Sequence, residues 1–189
     1  VSELFRGKHK SNGRMCLLEA VAYVAGEPWT DHPACVSPVL AAFGRGWNDG
    51  MRSNAERASL LQYVPLLVGT QASPEVERQR GYMALEWLVR RHTVAWLYVA
   101  GLDGHANKLE SLAEVDTPAA LVAISTAWDP ASAAARAAAS AAASAAAWAA
   151  ASAAARAAAW AAASAALEPT VLILQAEAHQ LFHAMITAQ

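Results

Sequence analysis

Charge is scarce in this chain. Only 16% of its 189 residues are Asp, Glu, Lys or Arg, and they leave a formal net charge of −2. That balance supplies no electrostatic footprint for nucleic acid, and no nucleic-acid partner is expected. The one basic cluster, Arg6, Lys8, His9, Lys10 and Arg14, reads as a solvated, mobile terminus. Aromatic residues are sparse, at 7%, and much of the 56% hydrophobic fraction is alanine, which buries little area per residue. Cys16 and Cys35 are the only two cysteines, too few for a disulfide scaffold at this length. Val1 to Arg14 has no apolar segment of the kind a secretory signal carries, so a reduced, cytoplasmic setting is expected. The longest uncharged runs are alanine broken by serine and arginine. Alanine is too weakly apolar to drive insertion into a bilayer, so no membrane partner is expected. Sustained period-two alternation is missing, which predicts no sheet.

What the chain does have is legible helix punctuation. A first helix is predicted over about 14–25, with Asn12 as cap, Gly26 as stop, and Met15, Leu18, Ala22 and Ala25 on one face. Two prolines make 27–33 a loop. Ser37-Pro38 opens a short helix expected to end after Phe43 among Gly44, Gly46 and Gly50. Ser53 with Glu56 is a capping box for a helix that Pro65 should kink or end before Gly69. Ser73-Pro74 opens the next, carrying Val76, Met83, Trp87 and Leu88 inward and breaking near Thr93. A separate hydrophobic helix then spans 94–100, closed by Gly101. Short helices near 104–112 and 118–127 follow.

From Trp128 onward one non-alanine residue recurs at every fourth position. The stripe is Trp128, Ser132, Arg136, Ser140, Ser144, Trp148, Ser152, Arg156, Trp160 and Ser164. No glycine or proline interrupts 131–167, and alanine is the best helix former. A single helix there would be about 55 Å long at 1.5 Å per residue. A four-residue step advances the stripe about 40° each time, so it winds around a straight helix. Holding it on one side would need a right-handed supercoil. Two arrangements follow: a central helix packed on all sides, or an alanine seam between copies, with Trp148, Arg156 and Trp160 as interface residues. Exposed tryptophan is costly, each ring burying on the order of 200 Å², so a homo-oligomer is expected. Pro169 then restarts the chain in a final amphipathic helix bearing Leu174, Leu181, Phe182 and Met185 on one face.

The fold class expected is all-α, a helical domain organised around one long alanine-rich helix. Residues 1–127 form an N-terminal helical region. Residues 128–189 supply the long helix and a C-terminal amphipathic one, the two regions packing as one unit.

Few residues can carry chemistry. His9, Cys16, His32 and Cys35 hold the atoms of a tetrahedral zinc site, although neither cysteine belongs to a CxxC. A Cys16–Cys35 disulfide and two merely packed thiols are the competing readings. Cys16 near a helix start could be a nucleophile of lowered pKa served by a histidine. Asp31 and His32, with Glu19 nearby, could supply acid–base chemistry from the loop. Asp31 also suits a turn cap and His32 a structural donor. His179 and His183 stand four apart on the last helix, a metal-capable spacing, but Gln180 occupies the place of a metalloprotease's general base.

The segment from Cys16 to Cys35, CLLEAVAYVAGEPWTDHPAC, with Val-Ser-Pro-Val-Leu after it, Trp47-Asn48-Asp49, and the alanine–tryptophan tail, resembles uncharacterised proteins of actinobacteria and their phages. The resemblance spans nearly the whole chain and implies no activity. The function expected is a non-enzymatic helical binding or interaction protein, self-associating, an accessory factor of a phage or mobile element, without a cofactor. Its ligand, whether a protein or a small molecule, is not encoded in any motif. The alternative is a small metal- or thiol-dependent enzyme using Cys16, His32 and Cys35, with zinc as its metal.

Overall fold

Proline placed just after a hydroxyl residue starts three of the helices. The missing N–H and fixed φ of proline suit the first turn, and the preceding hydroxyl can accept a bond from an orphan backbone donor. A computed structural model describes residues 1–10, 13–149 and 153–188; of residues 118, 142–149 and 153–163 it describes the backbone alone. Its helices are α1 (Leu17–Ala25), α2 (Pro38–Gly50), α3 (Asn54–Arg57), α4 (Val64–Leu67), α5 (Pro74–Trp87), α6 (Val94–Val99), α7 (Asp103–Glu110), α8 (Pro118–Ala149) and α9 (Ala153–Thr187). A 3-10 segment, Ala58–Tyr63, joins α3 to α4, and a π-helical turn, Leu88–Thr93, joins α5 to α6. Among the described residues there is no strand, so the chain is all-α. No described helix is long and apolar enough to cross a membrane.

Four helix-level expectations need correction. Helix α1 begins at Leu17, capped by Cys16 rather than by a residue before Arg14, and Asn12 lies outside the described residues. Helix α2 runs through its glycines to Gly50. Gly44 is helical because tertiary packing asks for it: a Cβ there would meet Leu17 Cδ2 at 3.1 Å and Phe182 Cζ at 3.4 Å. Helix α8 starts at Pro118 and continues through Pro130, so the short helix expected over 118–127 and the long one expected to follow it are continuous. Pro169 likewise lies inside α9 and restarts nothing. An interior proline costs about 3 kcal/mol, which the alanine-rich flanks and tertiary packing offset. Whether α8 and α9 join as one helix depends on residues 150–152, which lie outside the described residues.

Two compact units are present, Val1–Gly81 with Phe182–Gln189, and Tyr82–Leu181. In the first, α1 packs on α2 and α4. Leu17, Leu18, Ala20, Val21, Leu40 and Leu67 are fully or almost fully buried there. Phe182 is wholly buried at the centre of an aromatic cluster, stacked on Phe43 at 5.5 Å and edge-on to Tyr63 at 5.0 Å and Trp47 at 5.7 Å.

In the second unit the core is Val89, Val94, Leu97, Ala106, Leu109, Val115, Ile124, Ala127 and Ala131, with Trp128 and Ala135 against it. Ala127, Ala131 and Ala135 thus use the four-residue step to face inward. The polar stripe runs beside them, where Arg136 Nη1 donates to Ser132 Oγ at 2.8 Å. Past Ala135 the described alanines Ala137, Ala139 and Ala141 are exposed. The side chains of Trp148, Arg156 and Trp160 lie outside the described residues.

Candidate functional site

Helix α1 is capped by its own sequence. Glu19 stands at the third helical position and its carboxylate reaches back to accept the Cys16 backbone N–H at 2.8 Å, while the Cys16 thiol accepts from the Glu19 backbone. This is a capping box with sulfur in place of a hydroxyl. Glu19 is completely buried, a position a carboxylate tolerates only with several donors. The further donors come from the N-terminal segment, His9 N at 2.6 Å and His9 Nδ1 at 3.0 Å.

These bonds tie residues 4–9 down as a strap, and the basic cluster is no free tail. Leu4 is fully buried, Phe5 N donates to Met15 O at 2.9 Å, and Trp29 Nε1 donates to His9 O at 2.8 Å. Arg14 lies over the Phe5 ring at 5.4 Å. Gly7 turns the strap at φ +80°, a left-handed conformation that favours glycine, and its N–H donates to Asp49 Oδ1 at 2.8 Å. Asn48, also buried, donates from Nδ2 to Phe5 O at 3.0 Å and to Asp49 Oδ1 at 2.9 Å. Its Oδ1 accepts from Leu17 N at 3.3 Å. The last turn of α2 is held by Arg57, whose buried guanidinium donates to Asn48 O and Met51 O, each at 2.7 Å.

Between strap, α1, α2 and the loop after α1 lies a cavity of about 140 Å³. Its polar wall is Lys8, Asp31, Arg45, Asn48 and Asp49. Cys16, Leu17 and Leu18 form the apolar side, and Gly7 lies at the strap. Lys8 Nζ is 3.0 Å from Asp31 Oδ1, and Arg45 Nη1 donates to the Asp31 backbone oxygen at 3.0 Å. Burial pulls the Asp31 carboxyl upward, but hydrogen bonds from Lys8 and His32 outweigh it and bring it down to about 2.

Of the sequence candidates, Cys16 and Asp31 meet at this cavity. His32 is exposed on the outer side of Asp31, its Nδ1 2.9 Å from Oδ1. Burial pushes the Cys16 thiol up to about 12, which disfavours the thiolate that a nucleophile needs despite the helix start. Cys35 is half-buried and separate. Its N–H donates to Glu27 Oε1 at 2.8 Å, beside Ala34 N to Oε2 at 2.7 Å, and its thiol bonds the same carboxylate. Both cysteines are free thiols. His9, Cys16, His32 and Cys35 therefore serve three different carboxylates, those of Glu19, Asp31 and Glu27. Among the described residues no three His, Cys, Asp or Glu side chains gather as a metal site. His179 is half-buried and His183 exposed, one turn apart on α9.

Sequence reasoning missed Lys8, Arg45, Asn48 and Asp49 as site residues. Compared with known protein families, with characterised proteins and with solved structures, the chain matches none.

Proposed function

We propose that this chain is a non-enzymatic helical binding protein, with the cavity beneath the N-terminal strap as its ligand site. The observation that carries this is the employment of the reactive groups. Cys16 is a helix cap with a suppressed thiolate, and Glu19 is saturated by donors of the strap and of α1. What faces the cavity is a set of fixed charges and hydrogen-bonding groups, which suits recognition better than proton or acyl transfer. Alkylation of the native chain with iodoacetamide at pH 8, followed by mass spectrometry, tests it. Cys16 should stay unmodified for as long as it takes to alkylate it fully in urea. Rapid native modification of Cys16, or stoichiometric zinc in the purified chain, would restore the thiol- or metal-dependent enzyme.

We also propose self-association through the long helices. Leu172 and Ile173 are 58% and 60% exposed on α9, and α8 leaves Ala137, Ala139 and Ala141 exposed. Light scattering should show an oligomer that Leu172→Ser with Ile173→Ser weakens. A monomer at every concentration would remove this part of the reading. An accessory role in a phage or mobile element rests on the sequence resemblance alone.

A further inference from the structure

The cavity has a chemical character of its own. Its charged groups balance, Lys8 and Arg45 against Asp31 and Asp49, so it favours a ligand without net charge. Lys8 and Asp31 are already joined. Arg45 and Asp49 stand four apart on α2, which puts their Cβ atoms about 5–6 Å apart on one face. Yet they do not pair. Arg45 is turned to the Asp31 backbone oxygen, and Asp49 Oδ1 to Gly7 N and Asn48 Nδ2. Among the described residues, the remaining N–H donors of Arg45 and the second oxygen of Asp49 have no hydrogen-bond partner. Arg45 and Asp49 thus line the same small space, and each keeps hydrogen-bonding capacity to spare.

We propose that the cavity binds a small zwitterion of amino-acid size, its carboxylate taken by Arg45 and its ammonium by Asp49. The volume agrees, since a cavity of about 150 Å³ holds a six-membered carbon ring, and glycine, alanine and serine are of similar or smaller bulk. Leu17, Leu18 and the Cys16 thiol give a short side chain an apolar wall. A small anion leaves the Asp49 oxygen without a donor, and a small cation leaves the Arg45 fork without an acceptor. The zwitterion satisfies both.

This rests on the reading of the cavity as a binding site, and the test separates the two. The Gly7 amide, bonded to Asp49 Oδ1, is a local reporter in a ¹H–¹⁵N spectrum of the full chain. Glycine, L-alanine, L-serine, acetate and methylammonium are titrated in turn. The amino acids should move the Gly7 resonance and raise the melting temperature. Acetate and methylammonium should bind at least about tenfold more weakly, each lacking one charged contact. Asp49→Asn keeps the Oδ1 acceptor for Gly7, and Arg45→Met keeps the stem. Each should weaken amino-acid binding about tenfold while the spectrum elsewhere stays folded. If acetate or methylammonium alone moves Gly7 as strongly as the amino acids, or if both variants bind them unchanged, the zwitterion assignment fails and the binding site stands. If neither these probes nor a library of small polar fragments moves Gly7, both fall.

Discussion

Glu19 accepts the backbone N–H of Cys16 at 2.8 Å from a position with no solvent access at all. The same carboxylate holds His9 through its main chain and its ring, so one side chain caps α1 and anchors the strap. Glu19→Ala would leave those donors buried without an acceptor. Loss of such a charge-assisted set is expected to cost on the order of 3 kcal/mol. Glu19→Gln, which keeps one acceptor oxygen, should cost about half as much. Urea denaturation measures both, and a Glu19→Ala change within experimental error of the parent would show that water replaces the carboxylate.

Two glycines of α2 should respond differently to alanine. Gly46 has nothing within 4 Å of a built Cβ, whereas at Gly44 the Cβ meets Leu17 Cδ2 at 3.1 Å and Leu18 Cδ2 at 3.4 Å. Gly46→Ala should therefore stabilise by about 0.5–1 kcal/mol through helix propensity. Gly44→Ala should gain nothing, and Gly44→Val should lose about 1–3 kcal/mol by overpacking. Equal gains at Gly44 and Gly46 in denaturation midpoints would mean that α1 and α9 yield freely there.

This contrast marks how far the sequence could be read. Helix starts were legible at Ser37, Ser73 and Thr117 because a cap and its proline are local chemistry. The same holds for the stop at Gly26, which is left-handed at φ 71°. Glycines in α2 looked like an ending because the reason for Gly44, close approach of Leu17 and Phe182, is tertiary, while Gly46 and Gly50 have open space around them. Pro130 and Pro169 misled for a related reason: local rules give proline a boundary, and the alanine run on one side of each, with tertiary packing, overrides it. At the site, Cys16 and Asp31 were singled out as reactive types. Lys8, Arg45, Asn48 and Asp49 were missed, because their partners Asp31, Phe5 and Gly7 are distant in the sequence.

Arg80 is expected to be indispensable to the end of α9. It is 3% exposed, and its guanidinium donates to Met185 O at 2.8 Å, Thr70 O at 2.7 Å and Ala188 O at 3.3 Å, with Glu77 Oε1 at 3.0 Å. The final carbonyls of a helix lack intrahelical partners, and here one fork supplies them. Arg80→Met should cost about 3 kcal/mol, and Arg80→Lys should recover little because an ammonium cannot bridge the divergent acceptors. Hydrogen exchange of amides 182–188 should rise sharply in both variants. Unchanged protection there would show that the aromatic cluster around Phe182 holds the segment without help.

Acid should destabilise the second unit earlier than the first, and His92 is the main reason. Its ring lies between Trp87 and Trp96, with centroids at 5.3 Å and 6.3 Å, and its Nε2 accepts the Trp96 Nε1–H at 3.3 Å. A protonated imidazole cannot accept that bond. Burial holds His92 below the usual histidine range, and does the same to His179 in the same unit. The sign follows from linkage. With the folded pKa depressed, the unfolded chain binds protons more readily, so the contribution is intact above the unfolded value of about 6.5 and is lost as pH falls below it. In the first unit Asp31, at about 2, acts in a separate window: its contribution is intact above the unfolded carboxylate value, and it is lost as pH falls from there through about 2. Denaturation at pH 8, 6.5 and 5.5, followed by hydrogen exchange of residues 82–181, should show a falling stability that His92→Phe with His179→Phe largely flattens. The phenyl ring keeps the contacts of position 92 with Trp87 and Trp96 and removes both titrations, so the double variant should be weaker at pH 8 yet less sensitive to acid. A parent stability that stays level from pH 8 to 5.5 would mean that water reaches both imidazoles and that neither is held neutral by its surroundings.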